Sequence, residues 1–182
     1  MLNVVRVDVE SAVVAFRPTA GEPRSVPARD AESTALFRAA PWRTFRSYLG
    51  QRHYSGTYWA ATTRDHVVYE SRLELANLVL ADFNPGVRNI VAQPFLLTAT
   101  VDDQKRRHIP DYFWDSVAGV VVVDVVRSER MTDPRIATLC RWTRVVMESI
   151  GWSYVVVNEP DFICRAWTLT RSIGCALWCP SS

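Results

Sequence analysis

Six valines surround a single aspartate in residues 120–126, and no other stretch constrains the fold of this chain as strongly. A continuous run of β-branched apolar residues predicts a buried strand. Asp124 interrupts the run, and a carboxylate in such a strand is costly unless it is hydrogen-bonded, paired or bound to a metal ion. Residues 106–114 predict the neighbouring strand, in which Asp111 directly follows Pro110. One acid on each strand of this central pair marks a candidate site.

A helix is predicted before these strands. Ser71 and Glu74 have the spacing of a capping box, in which the serine hydroxyl takes an early backbone N–H and the glutamate reaches back. The helix body covers residues 73–81, and the Asn-Pro-Gly sequence at residues 84–86 stops it.

A second helix follows the strand at residues 119–126. Asp133 caps it, Pro134 takes the first helical position and Gly151 ends it. A further strand is predicted at residues 152–157. This order of strand, helix and strand predicts a right-handed crossover between parallel neighbours. The predicted fold class is α/β, with a mixed β-sheet and a helix on each side.

The N-terminal 40 residues predict an arm. Residues 4–9 and 13–16 are expected to form a hairpin or edge pair, and residues 17–30, rich in Pro, Gly, Ala and Arg, are expected to be a linker. Other strands are predicted at residues 54–61, 66–69, 87–92 and 95–101, with a turn at Asp102-Asp103.

The net charge of +2 is too small to indicate nucleic-acid binding by itself. Arginine supplies 20 of the 21 basic residues, a bias that fits either bidentate phosphate contacts or the codon usage of a GC-rich genome. Residues 37–52 interleave arginines with aromatic residues, which indicates either an amphipathic surface segment or an arm that contacts phosphate.

No stretch approaches the ~18 apolar residues of a membrane span, and no signal peptide opens the chain. The four cysteines show no disulfide framework. We therefore expect a cytoplasmic protein without a membrane partner.

Three acids are candidates for one metal site: Glu74 in the first helix, Asp111 and Asp124. Neighbouring strands lie ~4.8 Å apart, so the two aspartates converge if the register allows, and a helix packed across the strand ends can add Glu74. Such a set of oxygen ligands suits Mg²⁺ or Mn²⁺. For Glu74, a role as the capping acid alone remains open.

An ordered series of motifs resembles TnsA-like endonuclease subunits of heteromeric transposases, within the PD-(D/E)XK superfamily. The similarity covers residues 41–161, which we expect to be the endonuclease domain. Its motifs, in chain order, are QRHYSGTYW at residues 51–59, YESRLELA at 69–76, ADFNP at 81–85, AQPF at 92–95, RHIPDY at 107–112 and VVVDV at 121–125.

The resemblance implies a restriction-endonuclease-like fold in which a divalent metal ion supports phosphodiester hydrolysis at a transposon end. It matches Glu74, Asp111 and Asp124 to the catalytic, metal-binding acids. Double-stranded DNA and a separate DDE-type transposase subunit are the partners it implies. The expected DNA-contacting residues are Arg43, Arg46, Arg52, Arg106, Arg107 and His108, and we expect His108 to face solvent or phosphate rather than metal.

The chain departs from the family pattern at two places. Val126 occupies the lysine position, and valine can neither activate water nor stabilise negative charge. Residues 162–182 form an unpatterned tail rich in Arg, Trp, Cys and Ser, which leads us to hypothesise a frameshifted or decayed C-terminus. Three functions remain open: an active endonuclease, a catalytically inactive relative that binds DNA or the transposase, and a small α/β protein whose acids are structural.

Overall fold

The structure is a computed structural model that describes residues 5–43 and 54–160. Within these ranges eleven strands and three α-helices follow one another, with short 3-10 helices at Ala28–Asp30 and Ser128–Arg130. In chain order the elements are β1 Val7–Pro18, β2 Arg24–Pro27, α1 Ser33–Leu36, β3 Ala39–Ala40, β4 Gly56–Ala60, β5 Asp65–Tyr69, α2 Arg72–Asp82, β6 Val87–Ala92, β7 Leu96–Val101, β8 Gln104–His108, β9 Tyr112–Ser116, β10 Gly119–Val125, α3 Pro134–Ser149 and β11 Ser153–Val157.

The strands form two main sheets and a separate hairpin. One sheet has the order β2-β1-β7-β8, with β3 paired to β1, and the other has the order β11-β10-β9-β6. The hairpin consists of β4 and β5. Strands β10 and β11, joined through α3, pair in parallel as predicted, and the other strand pairs of the described residues are antiparallel. The fold is α/β with mixed sheets, in agreement with the predicted class.

Buried side chains form two clusters, and successive residues of β10 belong to different ones. Val122 packs in a cluster with Trp142 of α3 and Val14 of β1. Val123 packs in the other cluster, with Leu78 of α2. Because neighbouring strand residues point to opposite faces, α3 and α2 cover opposite faces of the four-stranded sheet. The prediction of a helix on each side of the sheet is confirmed.

The first strand corrects the predicted hairpin at residues 4–9 and 13–16. β1 runs without a turn through the polar residues between them. There Ser11 Oγ accepts a hydrogen bond from Thr100 N at 2.9 Å and donates one to Asp8 O at 2.7 Å, and the pairing register with β7 shifts. The polar interruption is therefore a bulge in one long strand, because the serine satisfies backbone groups that the shifted register leaves unpaired.

The prediction of a linker at residues 17–30 is also wrong in part. The last residues of β1 fall within this range, and β2 pairs antiparallel with β1, with Val14 opposite Val26. Ala28 and Leu36 are buried in the same cluster as the inward side chains of β1. The segment that the sequence predicts to be an arm therefore packs into the core formed by β7 and α3.

The predicted strand at residues 106–114 is two strands. β8 ends at His108 and pairs with β7, whereas β9 begins at Tyr112 and pairs with β10 and β6. Pro110 lies between them, and proline has no N–H to donate to a ladder. Asp111 therefore precedes its strand, and the chain crosses from one sheet to the other directly beside the candidate site.

Both long helices begin where the sequence predicts. Ser71 Oγ accepts a hydrogen bond from Glu74 N, and the side chain of Asp133 accepts one from Arg135 N. The strands predicted at residues 54–61 and 66–69 correspond to β4 and β5, and Asp102 and Asp103 form the predicted turn between β7 and β8. Among the described residues, no helix is long and apolar enough to cross a membrane.

Candidate active site

A cleft of about 300 Å³ opens where the N-terminus of α2 meets the carboxyl end of β10. All three acids that the sequence singles out contribute to its lining: Glu74, Asp111 and Asp124. The other walls come from the residues that follow β10 and from Ile136 and Leu139 of α3. The chain thus brings together three acids of which the outermost, Glu74 and Asp124, are 50 positions apart in the sequence.

Asp124 is the most deeply buried acid of the cleft, with a side chain only 3 % exposed. Its Oδ2 accepts a hydrogen bond from the Tyr154 hydroxyl at 2.5 Å and lies 2.7 Å from His108 Nε2. Its Oδ1 is buried and has no hydrogen-bond partner within the described part of the chain. Oδ2 therefore has hydrogen-bond partners, whereas the lone pairs of Oδ1 have none and can accept a ligand.

Asp111 lies beside Asp124 because of the strand register. Tyr112 of β9 is opposite Val123 of β10, so one further step of the antiparallel ladder brings Asp111 opposite Asp124. Its Oδ2 accepts a hydrogen bond from Val125 N at 2.6 Å. Burial raises the pKa of Asp111 well above its ordinary value, and the negative charges of Asp124 and Glu74 raise it further. Three carboxyl groups therefore repel one another in a poorly hydrated space.

Glu74 reaches back over the start of α2 as predicted, but it accepts hydrogen bonds from the backbone N–H of Glu70 and the hydroxyl of Ser71. Its Oε1 accepts a hydrogen bond from Ser71 Oγ at 2.9 Å, and its Oε2 accepts one from Glu70 N at 2.8 Å. Burial raises the pKa of Glu74, and the hydrogen bonds from Glu70 and Ser71 offset part of that rise. Each oxygen of a carboxylate has a second lone pair, so capping and ligand binding are compatible roles for this residue.

Val126, which the resemblance aligns with a lysine, follows β10 directly and lines the cleft. Its backbone N–H donates a hydrogen bond to Val157 O at 2.8 Å. Lys105 is the only lysine of the chain. It lies on β8, opposite Thr100 of β7, and is not one of the residues that line the cleft. No lysine therefore substitutes for Val126 among the described residues around the cleft.

The ring of His108 points into the protein. The expectation that it faces solvent is wrong, because the side chain is 13 % exposed and contacts Asp124, although His108 is one of the residues that line the cleft. Its ring also packs edge-on against Trp142, with ring centroids 6.3 Å apart. The hydrogen bond to Asp124 explains this position, since it supplies a partner for an otherwise costly buried carboxylate.

The predicted DNA-contacting arginines lie at three places. Arg106 and Arg107 are exposed on β8, where Arg106 is opposite Ala99 and Arg107 is opposite Thr98. Arg43 donates its backbone N–H to Gln93 Oε1 at 3.1 Å and places its guanidinium Nη1 3.4 Å from Glu70 Oε1. Arg46 and Arg52, together with the tail at residues 162–182, lie outside the described residues.

Three further residues of the site are absent from the sequence-based prediction. Tyr154 holds Asp124, Arg130 lines the cleft, and Gln93 joins the backbone of Asp111 to the side chain of Glu70. Gln93 is buried and has a positive φ of 49°, which is unusual for a residue other than glycine. Its position directly before Pro94 restricts its backbone but favours an extended conformation, so the sequence gives no signal for the positive φ.

Comparison with known proteins adds no relative. No protein-family model matches the chain, and no curated protein matches it either. Within residues 5–43 and 54–160, no group of three or more His, Cys, Asp and Glu side chains is close enough to hold a metal ion as it stands. The case for a function is therefore based on the cleft and its chemistry.

Proposed function

We propose that the protein is a metal-dependent DNA endonuclease subunit of a heteromeric transposase, with a restriction-endonuclease-like fold and a DDE-type transposase as its partner. The convergence of Asp111, Asp124 and Glu74 in one cleft supports this function above the others. A structural role alone gives no reason to gather three mutually repelling carboxyl groups around an open space.

The donor set suits Mg²⁺ or Mn²⁺. Hard divalent ions prefer carboxylate oxygens, and Asp124 Oδ1 is a buried oxygen without a partner among the described residues. Burial is the main cause of the raised pKa of Asp111, and the charges of Asp124 and Glu74 add to it; a cation held by these acids would offset that repulsion. We assign Asp111 and Asp124, with Glu74, as the residues that would hold it.

A divalent ion supplies a Lewis acid that offsets the negative charge of a phosphodiester and makes a nucleophile available from water. The residues of this chain fix the acids that would hold the ion. Val125 N–H orients Asp111, and Tyr154 and His108 orient Asp124 through its Oδ2, while its Oδ1 is buried without a hydrogen-bond partner among the described residues. Binding of an ion would therefore require these acids to move closer together, because no group of three among the described residues could hold a metal ion as it stands.

A catalytically inactive relative that binds DNA or the transposase is the second candidate. Val126 favours it, because an aliphatic side chain in this position of the cleft cannot accept a proton or stabilise a developing negative charge. The same cleft and the same acids then belong to a binding subunit in which hydrolysis has been lost.

Plasmid nicking in Mn²⁺ and in Mg²⁺ tests the two candidates. Wild type is compared with Asp111→Ala, Val126→Lys and, as a matched control, Asp115→Ala, which removes an acid of β9 that pairs with Arg88 away from the cleft. We expect nicking that Asp111→Ala abolishes, that Asp115→Ala retains and that Val126→Lys increases.

Nicking by Val126→Lys alone would instead establish a disabled endonuclease site. Absence of nicking from all variants in the presence of the transposase partner, or equal nicking by wild type and Asp111→Ala, would contradict the assignment of the acids.

A further inference from the structure

Two arginines stand at the mouth of the acidic cleft. Arg127 and Arg130 are exposed, and both belong to the residues that line it together with Asp111 and Asp124. The sequence patterns had assigned DNA contacts to other arginines. Arg127 follows the last residue of β10 by two positions, so the alternation of a strand no longer dictates its direction.

We propose that Arg127 and Arg130 bind a backbone phosphate of DNA at this mouth. This inference rests on the proposed endonuclease function and adds the residues that receive the substrate. We call the pair the arginine rim.

Within residues 5–43 and 54–160, neither guanidinium of the arginine rim forms a hydrogen bond or salt bridge with a side chain, but Arg127 interacts electrostatically with Glu159: hydrogen bonds from Ser128 lower the pKa of that carboxyl group, and the charge of Arg127 lowers it further. The cleft of about 300 Å³ is lined by these two cations as well as by Glu74, Asp111 and Asp124, so a ligand that enters it meets both arginine side chains and carboxyl groups. A phosphodiester fits both sides, because arginine binds its oxygens in a bidentate fashion and a divalent ion links it to the acids.

The turn that carries the arginine rim is held in place from the end of β11. Glu159 Oε2 accepts hydrogen bonds from Ser128 N at 2.8 Å and from Ser128 Oγ at 2.6 Å. Within the turn, Arg130 N donates to Arg127 O at 2.9 Å. This anchoring lowers the conformational entropy that the two arginines lose when they bind a phosphate.

The arginine rim also gives a reason why a valine at position 126 is compatible with substrate binding. In place of one lysine inside the cleft, two permanent cations lie one and four residues further along the chain. Arginine remains charged at all relevant pH values and cannot serve as a base, so the rim supplies charge and position and no proton transfer.

Fluorescence anisotropy with a short labelled DNA duplex in Ca²⁺, repeated over a range of salt concentrations, tests the arginine rim. Wild type is compared with two rim variants, Arg127→Ala/Arg130→Ala and the charge-conserving Arg127→Lys/Arg130→Lys. The control is Arg24→Ala/Arg64→Ala, which removes the same amount of charge from β2 and from the β4–β5 turn. The rim double variant should bind about tenfold more weakly at 0.1 M salt, and its salt slope should fall by about two. The lysine variant should retain most of the slope, and the control should match wild type.

Equal affinities and equal salt slopes for the rim variant and the control would overturn the inference, and so would a wild type without measurable affinity for the duplex. The nicking assay in Mn²⁺ separates this failure from failure of the proposed function. If Asp111→Ala abolishes nicking while the rim variant binds and nicks like wild type, the endonuclease assignment stands and the arginine rim does not.

Discussion

At the scale of single residues, Asp124 shows what a sequence pattern can predict about a site. An acid inside six valines predicts a buried carboxylate that needs partners, and the side chain is indeed 3 % exposed. The partners themselves were not predictable. His108 and Tyr154 lie 16 and 30 positions away, and only the crossing of the chain between sheets and the parallel pairing of β11 bring them to Asp124.

Asp111 should make the metal-free protein less stable at neutral pH. Burial and two neighbouring carboxylates raise its pKa in the folded chain, so the folded state binds the proton more tightly than the unfolded state. Stability therefore falls as pH rises from the unfolded value of about 3.9 through the raised folded value. In EDTA at pH 7, Asp111→Asn should raise the melting temperature by at least ~2 °C, since the amide oxygen can still accept from Val125 N.

Asp115→Asn is the matched control for Asp111→Asn, because Asp115 lies on β9, is 34 % exposed and pairs with Arg88. It should leave the melting temperature unchanged or lower it slightly. Thermal unfolding between pH 4 and 8 gives the comparison. A stabilisation by Asp111→Asn that does not grow with pH would contradict the electrostatic explanation.

Two buried tyrosines should respond in opposite ways to the loss of their hydroxyl groups. Tyr154→Phe removes a hydrogen bond to the buried Asp124 and should cost about 1–3 kcal/mol of unfolding free energy. Tyr112 is fully buried, and its hydroxyl has no partner in the described residues, so Tyr112→Phe should be neutral or stabilising. Urea unfolding of both variants checks this, and equal losses would mean that Tyr112 has a partner such as bound water.

At the scale of secondary-structure elements, local signals predicted the helices well. Ser71 and Asp133 cap α2 and α3 because a side-chain oxygen followed by helix-forming residues needs only local contacts to act. The prediction of a single strand at residues 106–114 is wrong for the opposite reason. Its residue types suit strands throughout, and only the pairing partners, which are distant in sequence, decide that β8 and β9 belong to different sheets.

The start of α2 allows capping and metal binding to be separated experimentally. Glutamine also completes a capping box, so Glu74→Gln should retain the unfolding free energy to within about 0.5 kcal/mol. Ser71→Ala should lose about 1 kcal/mol, because an early backbone N–H of the helix loses its acceptor.

Mn²⁺-induced thermal stabilisation provides the second measurement for these two variants. A ligand that binds only the folded state raises its stability by mass action, so Ser71→Ala should keep the shift and Glu74→Gln should reduce it. If both variants keep the full Mn²⁺-induced shift in melting temperature, Glu74 only caps the helix, and Asp111 and Asp124 are the remaining candidate metal ligands.

At the scale of the whole molecule, the N-terminal segment is part of the hydrophobic core, whereas the sequence predicts an arm outside it. The motifs on which the resemblance depends begin at residue 51, and the composition of residues 17–30, rich in Pro, Gly, Ala and Arg, predicts a linker. In the structure Ala12, Val14 and Phe16 are buried against β7 and α3, and Val7 pairs with Val101. Pairing over such a sequence distance leaves no local signature, since the alternation in β1 predicts a strand without naming its neighbour.

This packing predicts that residues 41–182 do not fold without the N-terminal segment. Removing β1 exposes the inward face of β7. Burial of each lost Val or Phe side chain contributes about 1.5–3 kcal/mol to the stability of the fold, and the sum is comparable with the unfolding free energy of about 5–15 kcal/mol of an ordinary domain. Circular dichroism of the fragment should show no cooperative melting, and a peptide of residues 5–40 added in trans should restore it.

Single substitutions in the full chain test the same packing more finely. Val14 is fully buried and its neighbour Val13 is half-buried on the other face of β1. Val14→Ala should therefore cost about 2–3 kcal/mol of unfolding free energy and Val13→Ala less than about 1 kcal/mol. Equal costs of the two substitutions would mean that β1 is an arm, because the two faces of a strand that covers the core cannot be equivalent. Cooperative melting of the fragment of residues 41–182 at the temperature of the full chain would mean the same, because such a strand cannot be dispensable.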